Sequence, residues 1–320
     1  MTQDLERFQQ WFTAMVDNIG QVVKGKREQV GMVVLALFAE GHVLLEDAPG
    51  TGKTTLAKSM ASSIEGSWKR IQFTPDLLPA DVTGGVVFNQ KEHSFDFHRG
   101  PIFSNIVLAD EINRASPKTQ SALLQVMEEG EVTVDGTTHP VPKPFIVIAT
   151  QNPVEQEGTY RLPEAQLDRF LIKLTMGYPH HDAEVDMLRT VGSGIGAANI
   201  SPIVRVGDIG NMIAAVRGVH LEDSIRSYIV RLCDFTRHQL PETRLGVSPR
   251  GAVAMMNISR AMAASQGRNY VNVDDIRTVA PYVMSHRLLL TAAAELERIP
   301  AEALVGRALD EVAAPEPVRS

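Results

Sequence analysis

Glu46-Asp47-Ala48-Pro49-Gly50-Thr51-Gly52-Lys53-Thr54-Thr55 joins an apolar strand pattern, His42-Val43-Leu44-Leu45-Glu46, to a helical one in which Leu56, Ala57 and Met60 recur at core spacing. Glycines at 50 and 52 let the backbone take positive φ, so that N–H groups of the turn point at phosphate oxygens where the helix begins. Lys53 adds a point charge for the β- and γ-phosphates, and the Thr54 hydroxyl is placed to ligate magnesium. Pro49, Gly50, Thr51, Gly52, Lys53, Thr54 and Thr55 are therefore the candidate nucleotide contacts, and the chain reads as a nucleoside triphosphate protein. One letter departs from the pattern G-x-x-x-x-G-K-[ST]: Asp47 stands where the first glycine is expected.

Outward from this loop, apolar runs recur at 42–46, 69–73, 105–110, 144–149 and 170–174, five strands of one sheet. Helical patterns lie between them at 26–40, closed by Gly41, at 53–65, closed by Gly66, and at 117–129, with Ser116 as cap, Pro117 at the first helical position and Gly130 past the end. Buried strands alternating with helices predict a doubly wound α/β sheet with its ligand crevice at the carboxyl ends of the strands. Residues 84–98 and 131–141 alternate apolar and polar, the second around Asp135-Gly136, and predict two inserted β-hairpins. After Tyr178-Pro179 the pattern turns to helices only, at about 181–190, 206–217, 221–239, 249–265, 273–289 and 301–312, with a glycine-rich loop at 191–196. The expected organisation is a nucleotide domain at 1–179, opened by an amphipathic helix at 2–18, and an all-helical lid at 180–320.

A chain of 320 residues with 44% hydrophobic content can bury a full core. The formal charge of −7 gives no broad basic footprint for nucleic acid. A single cysteine, Cys233, excludes an internal disulfide and fits a packed thiol in a reducing compartment. The amino terminus reads as an amphipathic helix and not a signal peptide, and no apolar run reaches the ~20 residues that span a bilayer. The expectation is a cytoplasmic protein without membrane insertion.

Ile106-Val107-Leu108-Ala109-Asp110-Glu111 is a strand that delivers two carboxylates at the end where the phosphate loop also emerges. Asp110 is placed to hold magnesium through its water shell, and Glu111 to orient and deprotonate the water that attacks the γ-phosphate. The next strand ends in Gln151-Asn152-Pro153, where the Asn152 carboxamide can bond both that water and a γ-phosphate oxygen, or simply form a turn before proline. His180-His181-Asp182 lacks the spacing of a zinc site, and Glu128-Glu129 reads as the exposed end of a helix.

Asp110-Glu111-Ile112-Asn113-Arg114-Ala115, Lys118-Thr119-Gln120-Ser121-Ala122-Leu123-Leu124, Met127-Glu128-Glu129-Gly130, Ala149-Thr150-Gln151-Asn152-Pro153, Glu155-Gln156-Glu157-Gly158-Thr159-Tyr160 and Leu162 to Phe170 together resemble the MoxR family of AAA+ ATPases, over about residues 20–290. In that family the first glycine of the phosphate loop is often replaced, and hairpins stand at both inserted positions. The resemblance implies ATP and Mg2+ as cofactors, and adenine contacts from Val22, Val23 and Gly25, which the sequence alone would make core and turn. It also implies that Arg169, at the end of a short helix started by Pro163, reaches the γ-phosphate of a neighbouring subunit, with Arg161 as a competitor for the role. Leu245-Gly246-Val247-Ser248-Pro249-Arg250 resembles the sensor 2 motif: Arg250 projects from the positive first turn of a helix, where a cation is unfavourable unless an anion faces it. Its expected anion is the phosphate bound by the same chain.

The resemblance further implies self-association into a hexameric ring and a chaperone-like action on a protein client, often with a von Willebrand factor A domain partner. An ATPase motor of a metal chelatase shares this hairpin-bearing core. So does a helicase, which the hairpin disfavours because Lys91 and Arg99 are its clearest basic groups. A nucleotide-gated binding module with little turnover is the reading from a different class, and the intact Asp110-Glu111 pair stands against it.

Overall fold

The computed structural model describes residues 2–47, 50–152, 160, 162–192 and 200–315. Two helices, α1 (Thr2–Gly20) and α2 (Arg27–Phe38), lead into β1 (Val43–Glu46), α3 (Lys53–Ser63), β2 (Trp68–Gln72) and α4 (Pro79–Thr83). The hairpin β3 (Gly84–Asn89) and β4 (Ser94–Arg99) precedes β5 (Ile106–Asp110) and α5 (Pro117–Glu129). A second hairpin, β6 (Glu131–Val134) and β7 (Thr137–Pro140), is followed by β8 (Ile146–Gln151), α6 (Glu164–Leu167) and β9 (Ile172–Leu174). The remainder comprises α7 (His181–Gly192), α8 (Val206–Arg217), α9 (Asp223–His238), β10 (Thr243–Leu245), α10 (Pro249–Ser265), α11 (Val273–Met284), β11 (Leu289–Leu290), α12 (Ala292–Leu296) and α13 (Ala301–Glu311).

The five predicted strands form one parallel sheet in the order β2-β5-β8-β1-β9. Successive side chains divide between its faces. Val43, Leu45, Ile106, Leu108, Ile146 and Ile148 join the core built with α1, α2, α3 and the lid, while Leu44, Val107, Ala109, Val147 and Ala149 pack under α5. Burial on both faces is why the central strands read as unbroken apolar runs. Helix α1 buries Leu5, Phe8, Met15 and Ile19 and lies against α2 and α3 as well as α8 and α10 of the lid, so it ties the two parts together.

Both hairpins are present, and Asp135 and Gly136 take φ of 47° and 76°, the left-handed pair that a type I′ turn requires. Ring stacking of Phe97 on His139, with centroids 4.2 Å apart, joins one hairpin to the other. The chain ends of α2 and α3 depart from expectation: the positive φ falls on Glu40 and Glu65, not on Gly41 and Gly66. Gly41 serves instead for close approach, since a Cβ there would lie 2.4 Å from the Leu171 side chain.

The lid is not helical throughout. Strands β10 and β11 pair antiparallel, and the helix expected over 273–289 ends at Met284, where a tight turn at Ser285–Arg287 carries the chain into β11. Strands of two or three residues are too short to show a period, and the turn is imposed by a buried side chain, Arg287, that bonds outside the lid. The five-residue helices α4 and α12 escaped the sequence for the same reason of length.

His42, buried just before β1, pins the amino end of the sheet. Its Nδ1 accepts from the Val147 amide at 3.0 Å and its Nε2–H donates to the Met127 carbonyl at 2.9 Å, which joins β1, β8 and the end of α5. Burial lowers its pKa to about 4. His286, buried beside Arg287, is depressed in the same direction by burial and by that guanidinium. Below pH ~6.5 an unfolded histidine binds a proton that folded His42 refuses until about pH 4, so acid favours the unfolded state. Urea unfolding should therefore show stability falling between those limits, by about 3 kcal/mol from His42 alone. A flat profile there would mean that the buried ring carries its proton.

Candidate functional site

Strand β1 runs into the phosphate loop and the loop into α3. Gly50 and Gly52 take φ of 84° and 89°, the conformation expected of them, and Gly52 caps α3. Lys53, Thr54 and Thr55 form the first turn of that helix, where free N–H groups collect. The Lys53 ammonium donates to the Asp47 carbonyl at 3.1 Å, which keeps it over the loop, and Thr51 is half-buried beside it. Pro49 lies outside the described residues.

Asp110 ends β5 and Glu111 follows in a left-handed conformation, φ 56°, that turns its side chain away from the strand. Four residues to which the sequence reading gave no role of their own fix this pair. The Thr150 hydroxyl donates to Asp110 at 2.6 Å and accepts from the Glu111 amide at 2.9 Å. Gln72, at the tip of β2, and Arg114 both donate to the Glu111 carboxylate, at 2.7 and 3.0 Å. Arg70 pairs with Asp110 at 2.6 Å. A polar residue closing an apolar strand, as in Ile71-Gln72 and Ala149-Thr150, was the available signal. Asn152 is buried just beyond β8, the strand between β5 and β1, so loop, acid pair and carboxamide share the carboxyl edge of the sheet.

Val23 is buried and Val22 partly so, and Gly25 takes φ 69° against His180 and Ala183 at the start of α7. Residues 22–25 thus meet the chain that leaves β9 for the lid.

The two arginines occupy the opposite edge. Arg169, just past α6, pairs with Glu128 at 3.0 Å, and Arg250 on the first turn of α10 pairs with the same carboxylate. Glu128 follows Met127, whose carbonyl His42 holds, so the cluster sits at the amino ends of the strands. From His42 to Asp47 the chain runs five residues of extended backbone, about 15 Å, beyond the reach of one arginine side chain. In this structure the anion facing Arg250 is Glu128, at the exposed end of α5 where the sequence placed it. Arg161, the competitor to Arg169, lies outside the described residues.

Behind this cluster, Arg287 is 2% exposed and bonds Asp168 at 2.7 Å, together with the carbonyls of Asp168, Phe170 and Leu171. Asp168 also accepts from Ser248, which caps α10 through the Gly251 amide. One carboxylate therefore fixes the peptide that carries Arg169 and the helix that carries Arg250.

A triphosphate fits the carboxyl edge: two glycines in the left-handed conformation, the N-terminus of an eleven-residue helix and a lysine surround one turn. Thr54 and Asp110 are hard oxygen donors of the kind Mg2+ takes. This sheet, with a nucleotide loop, an acid pair and a helical lid, defines an AAA+ ATPase fold. The family model of the ATPase family associated with various cellular activities (AAA) matches residues 42–172, and that of the AAA lid domain matches 237–307. The chain is 51% identical to the uncharacterized protein YeaC of Bacillus subtilis over 94% of its length and 93% of that protein's. It is 40% identical to Chaperone MoxR1 of Mycobacterium tuberculosis over 93% and 81%. A crystal structure of a candidate ATPase from Cytophaga hutchinsonii superposes with a TM-score of 0.92 at 36% identity, covering 98% of each chain. The chain belongs to the MoxR family of AAA+ ATPases.

Removing Arg287 strands the Asp168 carboxylate and frees the lid contact. Arg287→Met should lower the free energy of unfolding by about 3–5 kcal/mol in a denaturant titration, the cost of breaking a buried pair. A loss below 1 kcal/mol, about the value of an exposed pair, would show that the lid is held elsewhere.

Proposed function

We propose that this chain hydrolyses ATP at sites shared between subunits of a ring, hexameric by family resemblance, and uses the cycle to remodel or mature partner protein complexes. The observation that carries this reading is the division of the machinery between opposite edges of one sheet: loop and acid pair at one, Arg169 and Arg250 on a common carboxylate at the other. Neither arginine reaches its own phosphate loop, so both are offered to a neighbour.

In this reading Pro49 to Thr55 cradle the phosphates, Val22, Val23 and Gly25 hold adenine, and Thr54 and Asp110 hold Mg2+, which neutralises phosphate charge when bound. Glu111 takes the proton of the attacking water once it leaves Gln72 and Arg114, and Asn152 orients that water. Arg169 and Arg250 stabilise charge in the transition state from the adjoining subunit. The chaperone role is carried over from the name of the mycobacterial relative. A protein client, with or without a von Willebrand factor A domain partner, is favoured over nucleic acid by the acidic balance of the chain. Among the described residues no helix is long and apolar enough to cross a membrane, and we place the action in the cytoplasm.

Lys53→Ala should weaken ATP binding, whereas Glu111→Gln should bind ATP and lose turnover. Hydrolysis by folded Glu111→Gln at the unmodified rate would remove Glu111 from the role of base. If the unmodified protein binds ATP but releases no phosphate at any protein concentration, the nucleotide-gated module replaces the enzyme.

Arg169→Ala should cost about 10³–10⁵ in rate while sparing affinity. Equimolar Arg169→Ala and Glu111→Gln chains should regain activity in mixed oligomers, through interfaces that join an intact Glu111 to an intact Arg169. Arg250→Ala should complement Glu111→Gln in the same way, and failure of both mixtures would return the arginines to their own chain.

A further inference from the structure

The residue that breaks the phosphate-loop pattern has a use in the fold. Asp47 is buried, 5% exposed, and a single oxygen of its carboxylate accepts from the amides of Met176 and Gly177 at 2.8 and 3.0 Å. The parallel register of β1 with β9 pairs Leu45 with Leu174, so Asp47 lies level with Met176 just where both strands have ended. Met176 to Tyr178 is the stretch by which the chain leaves the sheet for the lid, and Gly177 bends it with φ 63°. Its other side is held as well: buried Lys26, next to Gly25, donates to the Tyr178 carbonyl at 2.6 Å. The N–H side of this hinge is thus gripped from the phosphate loop and its C=O side from the adenine segment. A glycine at 47 would satisfy the sequence pattern and leave two hinge amides without their charged acceptor.

We propose that Asp47 is a positioning residue that couples the phosphate loop to the core–lid hinge, so that nucleotide seated on the loop is transmitted to Met176 and Gly177. The proposal rests on the reading of residues 49–55 as the nucleotide site. It extends further along the chain, because β9 leads from this hinge back to Phe170 and Arg169 at the opposite edge. Residue 47 then stands at one end of the strand and the arginine offered to the neighbour at the other. The carboxylate makes charge-assisted bonds to main-chain donors, the kind that resists local opening most strongly.

Amide hydrogen exchange on the full-length protein tests this. In the unmodified chain Met176 and Gly177 should be protected without nucleotide, and their exchange should change when ATP slows the loop amides of Thr54 and Thr55. Asp47→Gly, which restores the strict loop pattern, should exchange both hinge amides about ten- to a hundredfold faster, the factor expected for losing a bond to a charged acceptor. It should also abolish their response to ATP while Thr54 and Thr55 still respond. Asp47→Asn keeps one acceptor oxygen and should recover part of the protection, which serves as the reading if the glycine variant does not fold. Unchanged exchange at Met176 and Gly177 in Asp47→Gly, or an unprotected hinge in the unmodified chain, overturns the proposal. Loss of the Thr54 and Thr55 response in Asp47→Gly would also overturn it, by placing the aspartate in nucleotide binding itself. If Thr54 and Thr55 of the unmodified chain ignore ATP, the nucleotide reading and the proposed coupling fail, while protection lost in Asp47→Gly still establishes the hinge contact.

Discussion

A guanidinium buried to 2% exposure has to be paired, and Arg287 finds its partners in the carboxylate of Asp168 and in three carbonyls of the segment that leads into β9. Burial pulls its pKa down and Asp168 opposes the shift, so the contact between lid and sheet supplies the partners that replace the water this charge has lost. Taking two ions out of water costs more than their attraction unless further hydrogen bonds complete the shell. Here they do, and the pair becomes a point of registry: the turn at 285–287, the cap of α10 and the peptide before Phe170 all take their places from it.

The ion pairs in front of it are of another kind. Glu128 and Arg250 are each more than two-fifths exposed, and Arg169 somewhat less. Water screens such contacts, and pairs of this sort contribute about 0–1 kcal/mol. A fixed, dry pair behind and a loose, wet pair in front give a surface on which two guanidinium groups are preassembled yet can change partners at small cost. At the other edge exposed Arg70 and Gln72 hold the carboxylates of buried Asp110 and partly buried Glu111 in place.

The fold was largely legible because its main signals are local and repeated. Strands buried on both faces print continuous apolar runs, Ser116, Pro117 and Gly130 bracket α5, and Asp135-Gly136 admits little but a tight turn. The phosphate loop was legible for the same reason, since positive φ at two positions demands glycine. What escaped was non-local. Nothing near Glu128 in sequence reveals that it joins a residue 41 positions on to another 122 positions on. Arg250 was read correctly as a cation that needs an anion, but sequence could not say which anion stood there. Gln72, Thr150 and Arg287 act through partners brought to them by strand order, and Asp47 looked like a tolerated exception because its two donors lie 129 and 130 residues away.

Strand β2 closes one side of the sheet, with Lys69 and Arg70 exposed in succession along it. An open strand of this kind is a template for pairing with another molecule, and adjacent cations are a common means of preventing it. Arg70 is paired with Asp110, so two copies that met along β2 would bring chiefly their Lys69 ammonium groups together, and the ladder between them would form against that repulsion. The same strand therefore disfavours continuation of the sheet into a second copy. The strand ends differ from it in displaying charges of opposite sign, carboxylates at one edge and guanidinium groups at the other.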